Sequence, residues 1–364
     1  MHEFQVNKQD FTKTRLVENN TLNAETPLLD DEIIVRVDSF ALTANNITYA
    51  VLGEKLGYWQ FFPASDNADN TWGIIPVWGF ATVISSHSNN ITVGEKLFGY
   101  FPPTSLVKMT AAQVSSQRFI DGSAHRAALP PGYNVYRRVF AEPGYNESYD
   151  KQRMLLFPLY ITSFCLCDYL ESKQWFNAEQ VIIISASSKT SIGLAYGIDD
   201  SESAPKLIGM TSSGNHAFVN KLGVYQQVIN YGDLSQLNPK LKTVIVDMAG
   251  NAEQLKAIEQ HMAGNLTFCL QVGLTHWDEA SVTSPLSHTE SEMFFAPGHI
   301  QKRIAQWGAK EFEHKSMSFM AKSTQRSSSW LAFVTIESVE HMAEVYADVC
   351  NGVLAPEKGI IIKP

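Results

Sequence analysis

Short apolar segments alternate with segments of helical periodicity between residues 181 and 273, and this alternation restricts the possible folds more than any other feature. Five segments have the length and apolar content of buried strands: VIIIS at 181–185, KLIGM at 206–210, QVIN at 227–230, KTVIVDM at 242–248 and LTFCLQVG at 266–273. The candidate helices between them are TSIGLAYGI at 190–198, NHAFVNKLG at 215–223 and NAEQLKAIEQHM at 251–262. This order predicts a parallel sheet with crossover helices, which is a doubly wound α/β domain.

The amino-terminal part of the chain has a different pattern, typical of antiparallel strands. Its candidate strands are EIIVRVDSF at 32–40, GFATVISSH at 79–87, ITVGEKLFGYF at 91–101 and LVKMTAAQV at 106–114. A largely apolar helix is predicted at 154–172, and the tail at 330–364 reads as strand, helix and strand. We therefore expect a β-rich domain at 1–150 that residues 320–364 complete, and a doubly wound domain at 151–319.

Charge and composition exclude several classes of function. The chain has 364 residues and a net charge of -9, the wrong sign for a surface that binds nucleic acid or anionic lipid. No apolar run approaches the roughly 20 residues that cross a bilayer, and the first residues lack a signal-peptide pattern, so we expect a cytoplasmic protein. Cys165 and Cys167 lie in an apolar run, which favours core packing over metal binding.

The turn after the strand at 181–185 is the first place to look for a ligand, because parallel sheets bind ligands at the carboxyl ends of their strands. It reads SASSKTSIGLA, where a dinucleotide-binding turn normally has the spacing G-x-G-x-x-G. Only Gly193 matches a glycine of that motif. The hydroxyls and the lysine either hold a phosphate at the start of a helix or simply cap that helix.

The turn after the second strand indicates which cofactor is preferred. NAD-binding sheets carry an acidic residue about 20 positions beyond the glycine motif, where this chain has Ser212 within GMTSSGNHAF. Ser212, Ser213 and His216 offer donors to a 2′-phosphate instead, so NADPH is favoured over NADH. The alternative for His216 is a solvated turn with a helix cap.

Several segments, in this order and spacing, resemble zinc-free quinone reductases of the medium-chain dehydrogenase/reductase superfamily. They are EIIVRVDSFALTANNITYAVLGEKLGYW at 32–59, ITVGEKLFGY at 91–100, KLIGMTSSGNHAFVNKLGVYQQVINYGD at 206–233 and VIVDMAGN at 244–251. Within that superfamily the chain looks closest to the group known as DUF2855. The resemblance implies a GroES-like β-rich catalytic domain, a Rossmann domain that binds NADPH, and a small-molecule substrate.

The resemblance also implies a set of cofactor-binding residues in the Rossmann domain. The phosphate-binding turn would comprise Ser187, Ser188, Lys189, Thr190, Ser191 and Gly193. Contacts to the 2′-phosphate would come from Ser212, Ser213, His216 and Tyr231. Asp247, Ala249 and Gly250 would border the adenosine and the nicotinamide ribose, and Gly273 would pass the nicotinamide.

Alcohol-oxidising members of the superfamily bind a catalytic zinc, and this chain lacks the ligands. The corresponding positions hold Thr43, Trp78 and Gly79, none of which is a good zinc ligand. We therefore expect no zinc. Without a metal to polarise an alkoxide, reduction of an already activated acceptor, a quinone or an α,β-unsaturated carbonyl, is favoured. The alternative is a noncatalytic nucleotide- or small-molecule-binding protein that keeps the fold.

Candidate acceptor-side residues lie in the first loop. Tyr58 matches the tyrosine that donates a hydrogen bond or a proton in related enoyl-thioester reductases, since a phenol is protonated at neutral pH. Asn46 stands where the family commonly has Asp, and Thr43 or Asn45 either orients the substrate or makes structural hydrogen bonds in the loop. A homodimer is the default assembly.

Two charged segments have no assigned role. Residues 102–153, read as an extended excursion, contain DGSAHRAALPPGYNVYRR, whose arginines either clamp an anionic substrate or form a solvated loop. FFAPGHIQKRIAQWG, with His299, Lys302 and Arg303, is either an oligomer contact or a helix specific to this branch.

Overall fold

A computed structural model describes residues 2–272 and 286–364. The chain forms two compact units: Met1–Leu155 with Leu331–Pro364, and Leu156–Trp330. The carboxyl-terminal segment thus belongs to the same unit as the amino-terminal part. The predicted start of that segment, residue 320, lies within a continuous helix of the second unit, Ala309–Ser327, whose Phe312 and Met320 are buried.

The strands of the described residues, in chain order, are β1 (His2–Asn7), β2 (Thr14–Glu18), β3 (Glu32–Leu42), β4 (Trp72–Gly73), β5 (Val77–Ser86), β6 (Lys96–Phe101), β7 (Leu106–Ala112), β8 (Arg118–Asp121), β9 (Val135–Arg138), β10 (Gln180–Ile184), β11 (Lys206–Thr211), β12 (Gln227–Asn230), β13 (Thr243–Asp247), β14 (Leu266–Gln271), β15 (Ser291–Met293), β16 (Ala332–Ile336) and β17 (Lys358–Ile362). The α-helices are α1 (Ala44–Val51), α2 (Asp150–Ser172), α3 (Lys189–Asp199), α4 (His216–Lys221), α5 (Ala252–Met262), α6 (Ala296–Trp307), α7 (Ala309–Ser327) and α8 (Met342–Cys350).

The first unit is built around an antiparallel sheet that closes on itself. Strands β3, β5, β6, β9, β8 and β7 pair in that order, and β7 pairs again with β3, which gives a barrel-like sheet. Strand β17 pairs with the free part of β3 and carries β16 beside it. The antiparallel, barrel-like sheet agrees with the predicted β-rich character of this part of the chain. The predicted excursion at 102–153 supplies three strands of this barrel, β7, β8 and β9.

The second unit is a parallel sheet of order β12-β11-β10-β13-β14-β15. Successive residues of a strand face opposite sides of the sheet, and both sides are buried. Ile183 packs in one apolar cluster and Ile182 in the other. Helices α2, α3 and α7 contribute to the first cluster through Leu166, Ile192 and Phe312, whereas α5 covers the second. Helices on both faces of a parallel sheet confirm the doubly wound α/β domain.

Helix α2 joins the barrel unit to the parallel-sheet unit. With the turn before it, Glu147–Ser172, it is long and apolar enough to cross a membrane by length and composition, yet 61% of its apolar window is buried. Cys165 and Cys167 lie in this buried part, which confirms that they pack as small apolar residues. Buried apolar contacts account for the composition of the helix.

A left-handed turn connects α2 to β10. Its four residues, Gln174–Asn177, all have φ between 50° and 55°, although none is glycine. Trp175 is buried there, and the Phe176 ring stacks on Phe268 with ring centroids 4.0 Å apart. These aromatic contacts oppose the steric cost of the left-handed region, roughly 1–2 kcal/mol per residue.

Candidate functional site

The carboxyl ends of the parallel strands gather the predicted cofactor-binding segments. Ile184 at the end of β10 lies beside Met210 of β11 and Asp247 of β13 in the sheet register. Because strand order reverses direction at β10, the crevice outside β10 and β13 is the topological switch point, where such sheets bind ligands. The predicted Gly273 lies outside the described residues.

The turn between β10 and α3 combines a left-handed residue with a capped helix start. Ser185 takes the left-handed conformation, with φ 62°. Ser188 caps α3, because its hydroxyl accepts from the Ser191 N–H at 3.2 Å and donates to the Ser191 hydroxyl at 2.7 Å. Lys189 and Thr190 form the first turn of the helix, and both are half-buried. The structure thus shows the helix cap, one of the two alternatives that the sequence left open, at Ser188.

Ser187 joins this turn to the one that follows β11. Its hydroxyl oxygen accepts from the Asn215 side-chain amide at 3.0 Å and from the Thr211 hydroxyl at 3.5 Å. A hydroxyl that accepts two hydrogen bonds still has its own proton to donate. Ser187 therefore keeps a donor for a ligand oxygen at the carboxyl edge.

Gly193 meets a packing requirement inside the domain. A Cβ there would lie 2.6 Å from Ser163 Oγ and 2.6 Å from a ring carbon of Tyr160, both on α2. The Ser163 hydroxyl also donates to the Thr190 carbonyl at 2.8 Å. Glycine thus allows α3 to lie directly on α2, and the structure places Gly193 at this helix contact.

The turn after β11 presents polar side chains and no carboxylate. Ser212 and Ser213 are exposed, and His216, the first residue of α4, is half-buried. The backbone is closed by hydrogen bonds from the N–H groups of Asn215 and His216 to the carbonyls of Ser212 and Ser213. The sequence placed these three side chains at one turn, and the structure brings them together there.

The end of β12 adds one residue that the sequence reasoning missed. Asn230 lies beside Thr211, and its Oδ1 is buried without a hydrogen-bond partner among the described residues. The neighbouring Tyr231 bonds to Ser185, and burial raises the pKa of its phenol. A polar residue directly after the apolar segment of β12 is the signal that identifies Asn230.

Asp247 closes the turn after β13. Its carboxylate accepts from the N–H of Ala249 at 2.9 Å and from the N–H of Gly250 at 3.1 and 3.2 Å. Gly250 has φ 75°, a conformation that favours glycine. The structure thus gives Asp247 and Gly250 a shared turn at the crevice edge, with the carboxylate already bonded to backbone.

In the first unit, Thr43 and Asn46 form a capping box at the start of α1. Thr43 Oγ1 accepts from the Asn45 N–H at 3.2 Å, and Asn46 Oδ1 accepts from the Thr43 N–H at 2.8 Å. The buried Asn46 amide also donates to the Pro76 carbonyl at 3.0 Å. The sequence left open whether these side chains orient a substrate or make structural hydrogen bonds. The contacts in the structure are structural hydrogen bonds.

Tyr58 lies in a cluster of aromatic rings, where its hydroxyl oxygen is 3.0 Å from that of Tyr133. The Tyr49 and Tyr58 ring centroids are 4.8 Å apart, and Phe61 stacks at 6.2 Å. Burial raises the pKa of Tyr58, and the hydrogen bond with Tyr133 acts in the opposite direction. The phenol is therefore protonated at neutral pH, as a hydrogen-bond or proton donor requires.

Arg126 is the feature of the excursion that differs most from expectation. Its guanidinium is 1% exposed, donates to Asp121 Oδ2 at 2.6 Å and to Asn134 Oδ1 at 2.9 Å, and contacts the Phe62 ring. For Arg126, neither the solvated loop nor the clamp for a substrate anion is correct, because its donors are used inside the barrel unit.

The positions that correspond to zinc ligands have other roles. The Trp78 indole N–H donates to the Tyr49 hydroxyl at 3.2 Å, and a Cβ at Gly79 would lie 2.5 Å from the Ser39 carbonyl oxygen. Across residues 2–272 and 286–364, no group of three or more His, Cys, Asp or Glu side chains is placed to hold a metal ion.

Solved structures with the same fold include several oxidoreductases. CurA from Vibrio vulnificus in complex with NADPH has a TM-score of 0.60 at 10% identity and covers 96% of this chain and 94% of its own. The yhdH oxidoreductase from Salmonella enterica in complex with NADP has a TM-score of 0.55 at 13% identity, with 100% of both chains covered. CurK enoyl reductase has a TM-score of 0.51 at 10% identity and covers 100% and 98%. At these identities the likeness shows the fold alone.

No curated protein matches the chain at the sequence level. A family described as "Protein of unknown function (DUF2855)" matches residues 40–355. Because this match spans most of the barrel unit and the whole parallel-sheet unit, the chain belongs to the DUF2855 family.

Proposed function

We propose that the protein is an NADPH-dependent, zinc-independent oxidoreductase that reduces a quinone or an α,β-unsaturated carbonyl. The barrel unit would be a GroES-like catalytic domain, and the parallel-sheet unit would bind the cofactor. The similar folds of CurA, solved with NADPH, and of an enoyl reductase support this assignment.

One observation carries the proposal: the carboxyl edge of the sheet gathers hydroxyl, imidazole and amide groups at the switch point, and none of residues 212–216 is acidic. Ser212 and Ser213 are exposed donors, and His216 adds a ring N–H. A 2′-phosphate fits this turn, whereas a carboxylate would repel it.

The buried side chains at the same edge also fit a dinucleotide. The Ser187 hydroxyl has a proton left to donate to a phosphate oxygen, and the Asn230 Oδ1 needs a donor such as a ribose hydroxyl or an amino group. The left-handed Ser185, with φ 62°, bends the chain between β10 and α3. These residues would hold the cofactor.

When bound, the reduced nicotinamide supplies a hydride. The chain's own contribution is to hold a proton at Tyr58 Oη, where burial keeps the phenol neutral. A neutral phenol donates to an oxygen that becomes negative during reduction. The capping box of Thr43 and Asn46 fixes the start of the helix that precedes Tyr58.

The direct test measures binding and turnover separately. Fluorescence titration should give tighter binding for NADPH than for NADH, and a panel of quinones and enones should include acceptors that consume NADPH. Tyr58→Phe should lower kcat by roughly a hundredfold without changing the Kd for NADPH. Absence of NADPH binding together with inactivity across the panel would contradict the proposal.

A second candidate function is a noncatalytic nucleotide- or small-molecule-binding protein. The side chains of Thr190 and Ser191, where other members of the superfamily have glycine, favour it, since they narrow the approach to a diphosphate. This function predicts that NADPH raises the thermal midpoint with no turnover of any acceptor. Saturation at a hundredfold excess over Kd stabilises a protein by about 2.7 kcal/mol, which thermal unfolding detects readily.

A further inference from the structure

Tyr58 and Tyr133 form a pair of phenols whose second member comes from the excursion. Their hydroxyl oxygens are 3.0 Å apart, and their rings meet edge to face with centroids 5.6 Å apart. Either hydroxyl is able to donate in this geometry, so the direction of the hydrogen bond depends on what Tyr58 does with its own proton.

The backbone of Tyr133 is held from inside the barrel unit. Tyr133 lies in the short helical turn Pro131–Asn134, and its carbonyl accepts from Arg126 Nη2 at 3.1 Å. Arg126 in turn is fixed by Asp121 and by Asn134, the residue next to Tyr133. A buried ion pair therefore sets the position of a half-buried tyrosine.

Aromatic neighbours fix the Tyr133 ring. The ring centroid of Tyr100 is 4.8 Å away, that of Phe61 is 5.4 Å away and that of Tyr49 is 6.2 Å away. A side chain held in this way by its carbonyl and its ring loses little further freedom when its hydroxyl bonds to Tyr58.

We propose that Tyr133 is the positioning residue for Tyr58: its hydroxyl donates to Tyr58 Oη, so that the Tyr58 proton is directed toward the acceptor. This inference rests on the proposed reductase function. Burial raises the pKa of Tyr58, and a donated hydrogen bond stabilises the phenolate that remains after proton transfer. Tyr133 itself stays protonated, because burial raises its pKa well above the ordinary value.

The proton balance is simple. The O–H bond of Tyr58 breaks, and its proton forms a new bond to the reduced acceptor, while the electron pair comes with the hydride of a reduced nicotinamide. Tyr58 is left as a phenolate that accepts from Tyr133, and a proton from water restores it. Tyr133 keeps its own proton throughout.

The test is Tyr133→Phe, which removes one oxygen and keeps the ring contacts. We expect kcat for NADPH-dependent reduction to fall about tenfold, as for loss of one hydrogen bond to a developing charge, with both KM values within about twofold. In a Tyr58→Phe background the same substitution should cause no further loss, because Tyr133 acts only through the Tyr58 hydroxyl. Tyr145→Phe, which removes a hydroxyl bonded to Asp150 at 3.0 Å, is the matched control and should leave kcat unchanged.

Three results separate the possibilities. An unchanged kcat for Tyr133→Phe in an active enzyme overturns the positioning role and leaves the reductase function intact. Losses that multiply in the double variant overturn it too, because they show independent action. A wild-type protein that binds NADPH and reduces no acceptor overturns both proposals together.

Discussion

Arg126 Nη1 lies 2.6 Å from Asp121 Oδ2, and the two side chains are only 1% and 3% exposed. Such a pair gains its stability from complete hydrogen bonding, since removing two charges from water is costly. Asp121 Oδ1 accepts from the N–H groups of Thr110 and Ser123, and the guanidinium also donates to Asn134. The pair therefore anchors strands and turns of the barrel unit from within.

Replacing Arg126 by methionine should be strongly destabilising. It leaves the Asp121 carboxylate buried without its cation, and we expect the free energy of unfolding to fall by about 3–5 kcal/mol in urea titrations. Arg118→Met, at an exposed position of the same segment, is the control and should change it by less than about 0.5 kcal/mol. Equal losses for the two variants would contradict a structural role for the buried pair.

Ser212→Asp should reverse the choice of cofactor. A carboxylate at this exposed turn repels a 2′-phosphate and accepts hydrogen bonds from a ribose hydroxyl, so we expect the Kd for NADPH to rise about tenfold (~1.4 kcal/mol) and that for NADH to fall. Ser212→Asn has a similar size without the charge and should have a much smaller effect. If titration gives the same change for both variants, Ser212 does not lie at the 2′-phosphate.

Gly193→Ala should weaken the fold while leaving cofactor affinity unchanged. The added methyl group would overlap Ser163 and Tyr160, which costs about 1–3 kcal/mol in thermal or urea unfolding. Gly298→Ala in α6 is the control: its Cβ would lie 3.3 Å from a ring carbon of Phe295, with no closer neighbour, and we expect a much smaller change. A large rise in the Kd for NADPH at Gly193→Ala, measured on folded protein, would instead identify Gly193 as a phosphate-contacting residue.

The hydrogen bonds that join Asp168 of α2 to two residues of α6 give a pH-dependent prediction. Asp168 Oδ2 accepts from His299 and from Arg303, each at 2.5 Å. Burial alone would raise the pKa of this carboxyl, but the hydrogen bonds and charges of His299 and Arg303 outweigh it and lower the pKa. The ionised form therefore stabilises the fold above the unfolded pKa of about 3.9, and this contribution disappears as pH falls through the lower folded value.

Asp168→Asn should thus cost about 1.5–3 kcal/mol of unfolding free energy at pH 7. The difference between the variant and the wild type should shrink as the pH falls below about 4. Urea titrations across this range provide the measurement. A difference that already shrinks above pH 5 would assign the effect to another titrating group.

The periodic placement of apolar residues predicted the larger helices and strands, because these elements form where their apolar faces are buried. The run 181–184 is apolar on both faces, and the structure buries Ile182 and Ile183 in opposite clusters. The tail was predicted to return to the β-rich half, and β17 pairs with β3. The order of apolar and polar residues in the sequence indicates which side chains are buried and which face water, so elements of this kind can be predicted from the sequence.

Features that depend on distant contacts were not predictable in the same way. The left-handed turn at Gln174–Asn177 contains no glycine, and the burial of Trp175 and the stacking of Phe176 on Phe268 oppose its steric cost. Tyr133 becomes a partner of Tyr58 through an ion pair that the sequence places in a charged, weakly periodic segment. Local propensity contains no information about either arrangement.

The serine at position 185 has a practical consequence for recognising turns of this kind. It has φ 62° without being glycine, so a search by residue type alone misses the left-handed bend. Scanning predicted structures for a left-handed residue between a buried strand and a capped helix would recover such turns.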